Sequence, residues 1–137
     1  MDKALQYLSI ARKGGMAELG EEPVGAIARA GKAYVILVAS DASDHTWRRA
    51  KSYAAGTEQQ CVRLNVTKDE MGFAVGRTSL AIAAITDVQL ALALVKALPP
   101  KPETVQALEV LTGKAAKAKK RQAEARAHQR NLKKGKK

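Results

Sequence analysis

Apolar and polar positions follow two different periods along the chain, and the switches between them mark its elements. In residues 2–13, Leu5, Leu8 and Ile10 fall near helical spacing with Tyr7 alongside, and Gly14 and Gly15 follow. That pattern predicts a helix with a glycine stop. A second helix is expected to start around Glu22 and Pro23, with Val24, Ile27 and Ala28 inward and Gly31 after it. Proline is tolerated there because the amide it lacks has no partner in a first turn. Residues 33–39 (AYVILVA) form a short apolar run rich in β-branched side chains, the mark of a strand covered on both faces. Asp41 and Ser43 are candidate caps for a third helix reaching about Ala55, before Gly56. Residues 61–66 alternate as a half-buried strand does, and T-K-D-E at 67–70 is a capping box opening a helix that ends near Gly76. Residues 80–85 are a further buried strand. T-D-V-Q at 86–89 repeats the capping logic and opens a helix through Leu98. Helices alternating with short buried strands imply one layered α/β/α domain over residues 1–98.

The run P-P-K-P at 99–102 cannot continue a helix and favours an extended spacer, so residues 99–112 read as a spacer with a short helix over 103–111. Beyond it the charge changes the picture. The chain carries a formal charge of +11, which points toward polyanions. Residues 1–112 hold thirteen basic and twelve acidic side chains, whereas residues 113–137 hold eleven basic ones against Glu124 alone. The excess therefore belongs to a tail, not to the folded body. The tail's Ala, Lys, Arg and Gln favour helix, but with Leu132 as its one bulky apolar residue it lacks a face to enter a bilayer or a partner's groove. Two readings stand: a solvated extension, helical or disordered, or an arm that lies along phosphates through Lys117, Lys119, Lys120, Arg121, Arg126 and Arg130. The apolar stretches, 80–85 among them, are far short of the ~18 residues of a membrane span. The first fifteen residues lack the apolar core of a secretory signal. A soluble cytoplasmic protein without a membrane partner is the expectation.

Catalytic chemistry finds little material. Cys61 is the only cysteine, which excludes an intrachain disulfide and a cysteine metal cage; it lies in a strand pattern and reads as a core residue. His45 and His128 offer little for a metal site, and no cofactor is expected. Asp69, Glu70 and Asp87 are accounted for by capping, and Glu21 and Glu22 sit where a helix amino end favours negative charge. The chain has no nucleophile elbow, Walker loop or H-E-x-x-H motif, and its glycines lack dinucleotide-binding spacing. Neither an enzyme nor a small-molecule binder is expected. Recognition remains. Trp47, followed by Arg48, Arg49 and Lys51, either packs on the core or offers a platform for an unstacked base among phosphate-binding cations. Arg77, Thr78 and Ser79 form a polar loop that alone would be an ordinary solvated turn.

Five segments in order, L-S-I-A-R-K-G-G (8–15), G-E-E-P-V (20–24), V-I-L-V-A-S-D-A-S (35–43), T-K-D-E-M-G-F-A-V-G (67–76) and A-I-T-D (84–87), resemble the kink-turn RNA-binding ribosomal protein superfamily typified by the archaeal L-seven-Ae protein, and most of all its small bacterial YlxQ-type members. The resemblance covers about residues 3–98 and leaves the tail outside. It implies a three-layer α/β/α sandwich with a small mixed sheet of about four strands, clamping sharply bent RNA. It also implies that the start of the second helix reads sheared G·A pairs while nearby loops hold an extruded nucleotide. On that basis Gly20, Glu21, Glu22 and Arg29 belong to the helix that reads bases. Ser43 and Trp47 fall near the extruded base, Lys68 matches a phosphate-contacting lysine, and Arg77, Thr78 and Ser79 occupy the specificity loop.

Departures from the family pattern bear on specificity. Glu22 stands where Asn is usual, Pro23 where ribosomal and archaeal members have Glu, and Ala26 where a Lys contacts guanine. A carboxylate at position 22 still accepts from guanine's amino edge, but alanine at 26 replaces a cation with nothing, which implies weakened discrimination of the standard kink-turn. Arg29 and Lys32 are the nearest cations that could substitute. The resulting expectation is a monomeric, non-catalytic binder of structured RNA associated with the ribosome. The alternatives are a structural ribosomal or assembly protein without kink-turn specificity, and a protein adaptor using the apolar 80–98 region. More remote is an RNA-binding domain serving a modification enzyme.

Overall fold

A computed structural model describes the backbone of residues 2–134 and the side chains of residues 2–129. Its elements are α1 (Lys3–Lys13), β1 (Ala17–Leu19), α2 (Glu21–Arg29), β2 (Val35–Val38), α3 (Asp44–Ala54), β3 (Gln60–Arg63), α4 (Lys68–Ala74), β4 (Ile82–Ile85), α5 (Val88–Lys96) and α6 (Pro102–Lys134). The strands form one mixed sheet in the order β1-β4-β2-β3, with β2 and β3 parallel and β4 antiparallel to both its neighbours. All four residues of β2 and of β4 are buried, as continuous apolar runs require of central strands. The fold is α/β, a four-strand mixed sheet flanked by helices. The hydrophobic pattern alone accounts for three of these strands. β1 is only A-E-L, too short to alternate, and pairing fixes it instead: Ala17 opposes Ile85, Leu19 opposes Ala83, and Gly20 N–H donates to Ile82 C=O at 3.0 Å.

Helices α2 and α3 pack together on one face of the sheet, while α1, α5 and α6 line the other, with α4 beside α1. Asp2, Ser43 and Asp87 cap α1, α3 and α5, and Thr67 and Glu70 close the expected capping box on α4. Two expected caps act elsewhere. Asp41 does not cap α3; its carboxylate accepts from Lys68 N–H at 2.8 Å, so it ties the loop after β2 to the start of α4. At 86–89 the capping oxygen belongs to Asp87, not Thr86, and accepts from Leu90 N–H at 2.9 Å.

Helix α6 differs most from expectation. It starts at Pro102, a proline in a first turn, and does not stop at Leu111. Its stripe of Thr104, Ala107, Leu111 and Ala115 is buried against α5 and β3. The Glu103 carboxylate accepts from Arg63 N–H at 3.4 Å, which covers the free edge of β3. Lys101 Nζ donates to Asn65 at 3.3 Å, just past the end of β3, while Lys114 meets Glu58 at 2.6 Å, just before its start. Hence α6 runs antiparallel to β3 along the full height of the body. Lys114 holds the exposed Glu58 carboxyl below its ordinary range by hydrogen bond and charge. Residues 97–101 connect α5 to α6, and the helix after them is part of the body before it becomes an arm. Among the described residues, no helix is long and apolar enough to cross a membrane.

Candidate functional site

The strand directions bring four separated segments to one end of the sheet. β2 and β3 both finish there, β1 finishes there, and β4 begins there, as the pairs Val38–Arg63, Val38–Ile82 and Leu19–Ala83 require. The start of α2, the loop after β2, the loop after β3 and the loop before β4 therefore lie side by side. Backbone bonds stitch them: Ala39 N–H to Ala81 C=O at 2.9 Å, Ser40 N–H to Val66 C=O at 2.8 Å, and Leu80 N–H to Lys68 C=O at 3.0 Å. Of the candidate residues, Gly20, Glu21, Glu22, Ser43, Lys68, Arg77, Thr78 and Ser79 meet at this loop end. Gly20 has φ +97, a value that favours glycine, and a Cβ there would stand 3.9 Å from an Arg77 guanidinium nitrogen. Arg77 thus sits directly beside the amino end of α2.

A cleft of about 630 Å³ runs from this end between α2 and α3, lined by Glu21, Glu22, Arg29, Arg49, Ser52 and Tyr53. Glu21 is a brace: its carboxylate accepts from the Thr46 hydroxyl at 3.0 Å and from Arg49 at 3.3 Å, joining the two helices. Glu22 is exposed beside it. Arg29 lies at the far end of α2, yet its guanidinium folds back one turn, to 3.2 Å from where a Cβ on Gly25 would be. That places a cation beside Gly25, the residue before Ala26. Arg29 also borders a second cavity of about 640 Å³ at the opposite end of the sheet, and Lys32 lines only that one.

Trp47 falls on the other flank of α3. Thr46, Arg49 and Tyr53 face α2, whereas Trp47 faces β3 with the Arg63 guanidinium 5.2 Å and the Lys51 ammonium 5.4 Å from its ring centroid. It is half-buried and packs against the core, so core packing describes it well. A base arriving there meets a ring already attended by two cations. Arg63 also donates to Ala42 C=O at 3.2 Å, while its buried Nε has no partner. Ser43 is occupied in capping, donating to Thr46 Oγ1 at 3.1 Å. Lys68 is held by its backbone, through Asp41.

The tail cations do not join the loop end. Because α6 starts there and runs to the opposite end, Lys117, Lys119, Lys120, Arg121 and Arg126 lie away from it, all exposed, with Lys119 beside α1 and α5 and Arg121 near Tyr34. The side chain of Arg130 lies outside the described residues. Of the apolar 80–98 region, Leu80, Ile82, Ala83, Ala84, Ile85, Ala91, Leu94 and Val95 are buried in the core. The largest exposed apolar side chain is instead Phe73, at 79 %.

Sequence reasoning missed Tyr53, Thr46, Gly25 and Gly72 as parts of this region. The helical spacing of Thr46, Arg49 and Tyr53 was the available signal; for the glycines none exists without coordinates. Cys61 is half-buried in β3, and its thiol is pushed up to about 12, first by burial and then by the Glu103 carboxylate. The native thiol should therefore not react with a disulfide reagent at pH 8, while the protein unfolded in guanidinium should react fully. Rapid native labelling would contradict this burial. Among the described residues, no group of three His, Cys, Asp or Glu side chains could hold a metal ion.

The chain matches no protein-family profile and no curated protein at a significant level. Among solved structures it is similar to a Bacillus halodurans protein of unknown function, with a TM-score of 0.66 and 20 % identity over 71 % of this chain and 97 % of that one. At that identity the likeness shows the fold alone.

Proposed function

We propose that this chain is a non-catalytic, cytoplasmic RNA-binding protein of the kink-turn-binding type, reading structured RNA with the loop end and the α2–α3 cleft. The observation that carries the reading is convergence. Segments 20–24, 39–43, 67–68 and 77–79, to which the family resemblance assigns RNA contacts, are dispersed in sequence and adjacent in space. The chemistry suits bases and phosphates: Glu22 is a free acceptor for an amino edge, Arg29 and Arg77 are exposed guanidinium groups, and Lys68 borders the same end. Arg29 brings a guanidinium to Gly25, one residue before the Ala26 that lacks a cation, which supports retained, altered recognition of sheared G·A pairs.

A gel-shift comparison of a kink-turn RNA with the same RNA carrying disrupted G·A pairs tests the reading. The intact RNA should bind more tightly, and Arg29→Ala should narrow the difference by about 1–3 kcal/mol, the scale of one good base contact. Arg77→Ala should weaken binding to the intact RNA. Equal affinity of the native protein for both RNAs would remove specific reading and leave a structural ribosomal or assembly role.

A further inference from the structure

We infer that the protein has a second RNA-binding surface on the opposite face from the α2–α3 cleft, and bridges two RNA segments. The inference rests on the RNA-binding reading for the class of ligand, and on two other observations for the place.

The first is a groove along the outer side of α5. It has a volume of about 390 Å³ and is bordered by Lys3 and Tyr7 of α1 and by Lys119 of α6, with Gln89 and Lys96 on its floor. No carboxylate lines it. Two larger cavities are of mixed charge: the cleft between α2 and α3 carries Glu21 and Glu22 beside its arginines, and the far-end cavity carries Glu18 and Glu58 beside Arg29, Lys32 and Lys114. A smaller pocket of about 240 Å³ beside Tyr34 holds Lys114 and Arg121 without an acid in its lining, but Lys114 is paired with Glu58. Three lysines without an acid, next to amide and phenol groups, suit a run of phosphates.

The second is the course of α6. Its first turns are packed on α5 and β3, and the start of the basic segment still borders the body at Lys119 and Arg121. At 1.5 Å per residue the stretch from Arg121 to Lys134 extends about 20 Å further. These cations continue from Lys119 at the groove and point away from the loop end. Since the sheet and both helical layers separate the groove from the cleft, one compact RNA element cannot fill both. A second RNA segment, lying in the groove and along the arm, can.

The test uses the full chain and a plain RNA duplex of sixteen base pairs that lacks any kink. Lys3→Glu/Lys96→Glu changes two exposed side chains outside the proposed reading site. It should weaken duplex binding at least tenfold and make its log–log salt slope shallower by about two, while the preference for intact over G·A-disrupted kink-turn RNA stays unchanged. The native protein should also retain labelled duplex when captured on an immobilised kink-turn RNA. Unchanged duplex affinity in the double variant, or mutually exclusive binding of the two RNAs, overturns the second surface. Binding of polyglutamate as tight as that of the duplex also overturns it, in favour of an acidic protein segment. Loss of G·A discrimination in the native protein is a separate result: it removes the reading of the cleft, while the duplex measurement still decides the groove.

Discussion

Leu111→Ala should lower the unfolding free energy by about 2–5 kcal/mol, whereas Val105→Ala on the same helix should change it by less than about 0.5 kcal/mol. Leu111 is fully buried, at 0 % exposure, in a cluster with Ala107 of its own helix and the core residues of β3 and α5. Truncating it leaves a cavity walled by packed backbone and small side chains, which relax poorly. Val105 is 45 % exposed and has little contact to lose. Equilibrium denaturation followed by far-ultraviolet circular dichroism separates the outcomes. Equal, small effects at both positions would mean that α6 is not docked and that the chain after Leu98 is an appendage. A large effect at Leu111 means that the basic arm is cantilevered from the core. A truncation meant to remove the arm should then fall after Ala118, because cutting after Thr112 also removes Ala115, which is buried, and Lys114, which holds Glu58.

The misreading of α6 shows where sequence patterns lose force. Pro99, Pro100 and Pro102 are strong breakers, and Pro102 is the first residue of the helix, where the same ring stabilises a first turn. The buried stripe of Thr104, Ala107, Leu111 and Ala115 has helical spacing, but only Leu111 is bulky. Alanine buries well against a close neighbour and registers weakly as an apolar signal. The body of the fold was more legible. Residues 33–39 and 80–85 are continuous apolar runs, and they became the two central strands; Thr67 and Glu70 form the capping box that their spacing implies. β1 was invisible because three residues carry no period. The loop end was legible through resemblance only, since the adjacency of 20–24, 40–43, 67–68 and 77–79 comes from strand order and not from any local pattern. Trp47 drew attention as the sole tryptophan, but helical phase sets it on the flank away from the cleft, where Tyr53 lies instead.

Gly72→Ala should destabilise the fold by about 1–3 kcal/mol and move the 77–80 loop, although alanine is the better residue for a helix interior by up to about 1 kcal/mol. The sign is decided by what surrounds the missing side chain. A Cβ on Gly72 would stand 2.7 Å from Ser79 N, 2.8 Å from Arg77 C=O and 2.8 Å from Ser79 Cα, all main-chain atoms. The loop cannot yield alone, because Arg77 N–H donates to Gly72 C=O at 2.8 Å and Leu80 N–H to Lys68 C=O at 3.0 Å. Relief of the clash must break one of these bonds and carry Arg77 away from Gly20. Gly25→Ala is the informative control: there the neighbours are the tip of the Tyr53 ring and the Arg29 guanidinium, side-chain atoms that shift without moving main chain. Amide chemical shifts report the difference, with changes spreading through 77–80 for Gly72→Ala and staying within the α2–α3 cleft for Gly25→Ala. If the proposed RNA reading holds, Gly72→Ala should also weaken kink-turn binding without touching any side chain at the interface. Native stability together with unshifted amides from Arg77 to Leu80 would show that the loop does not rest on α4 as described.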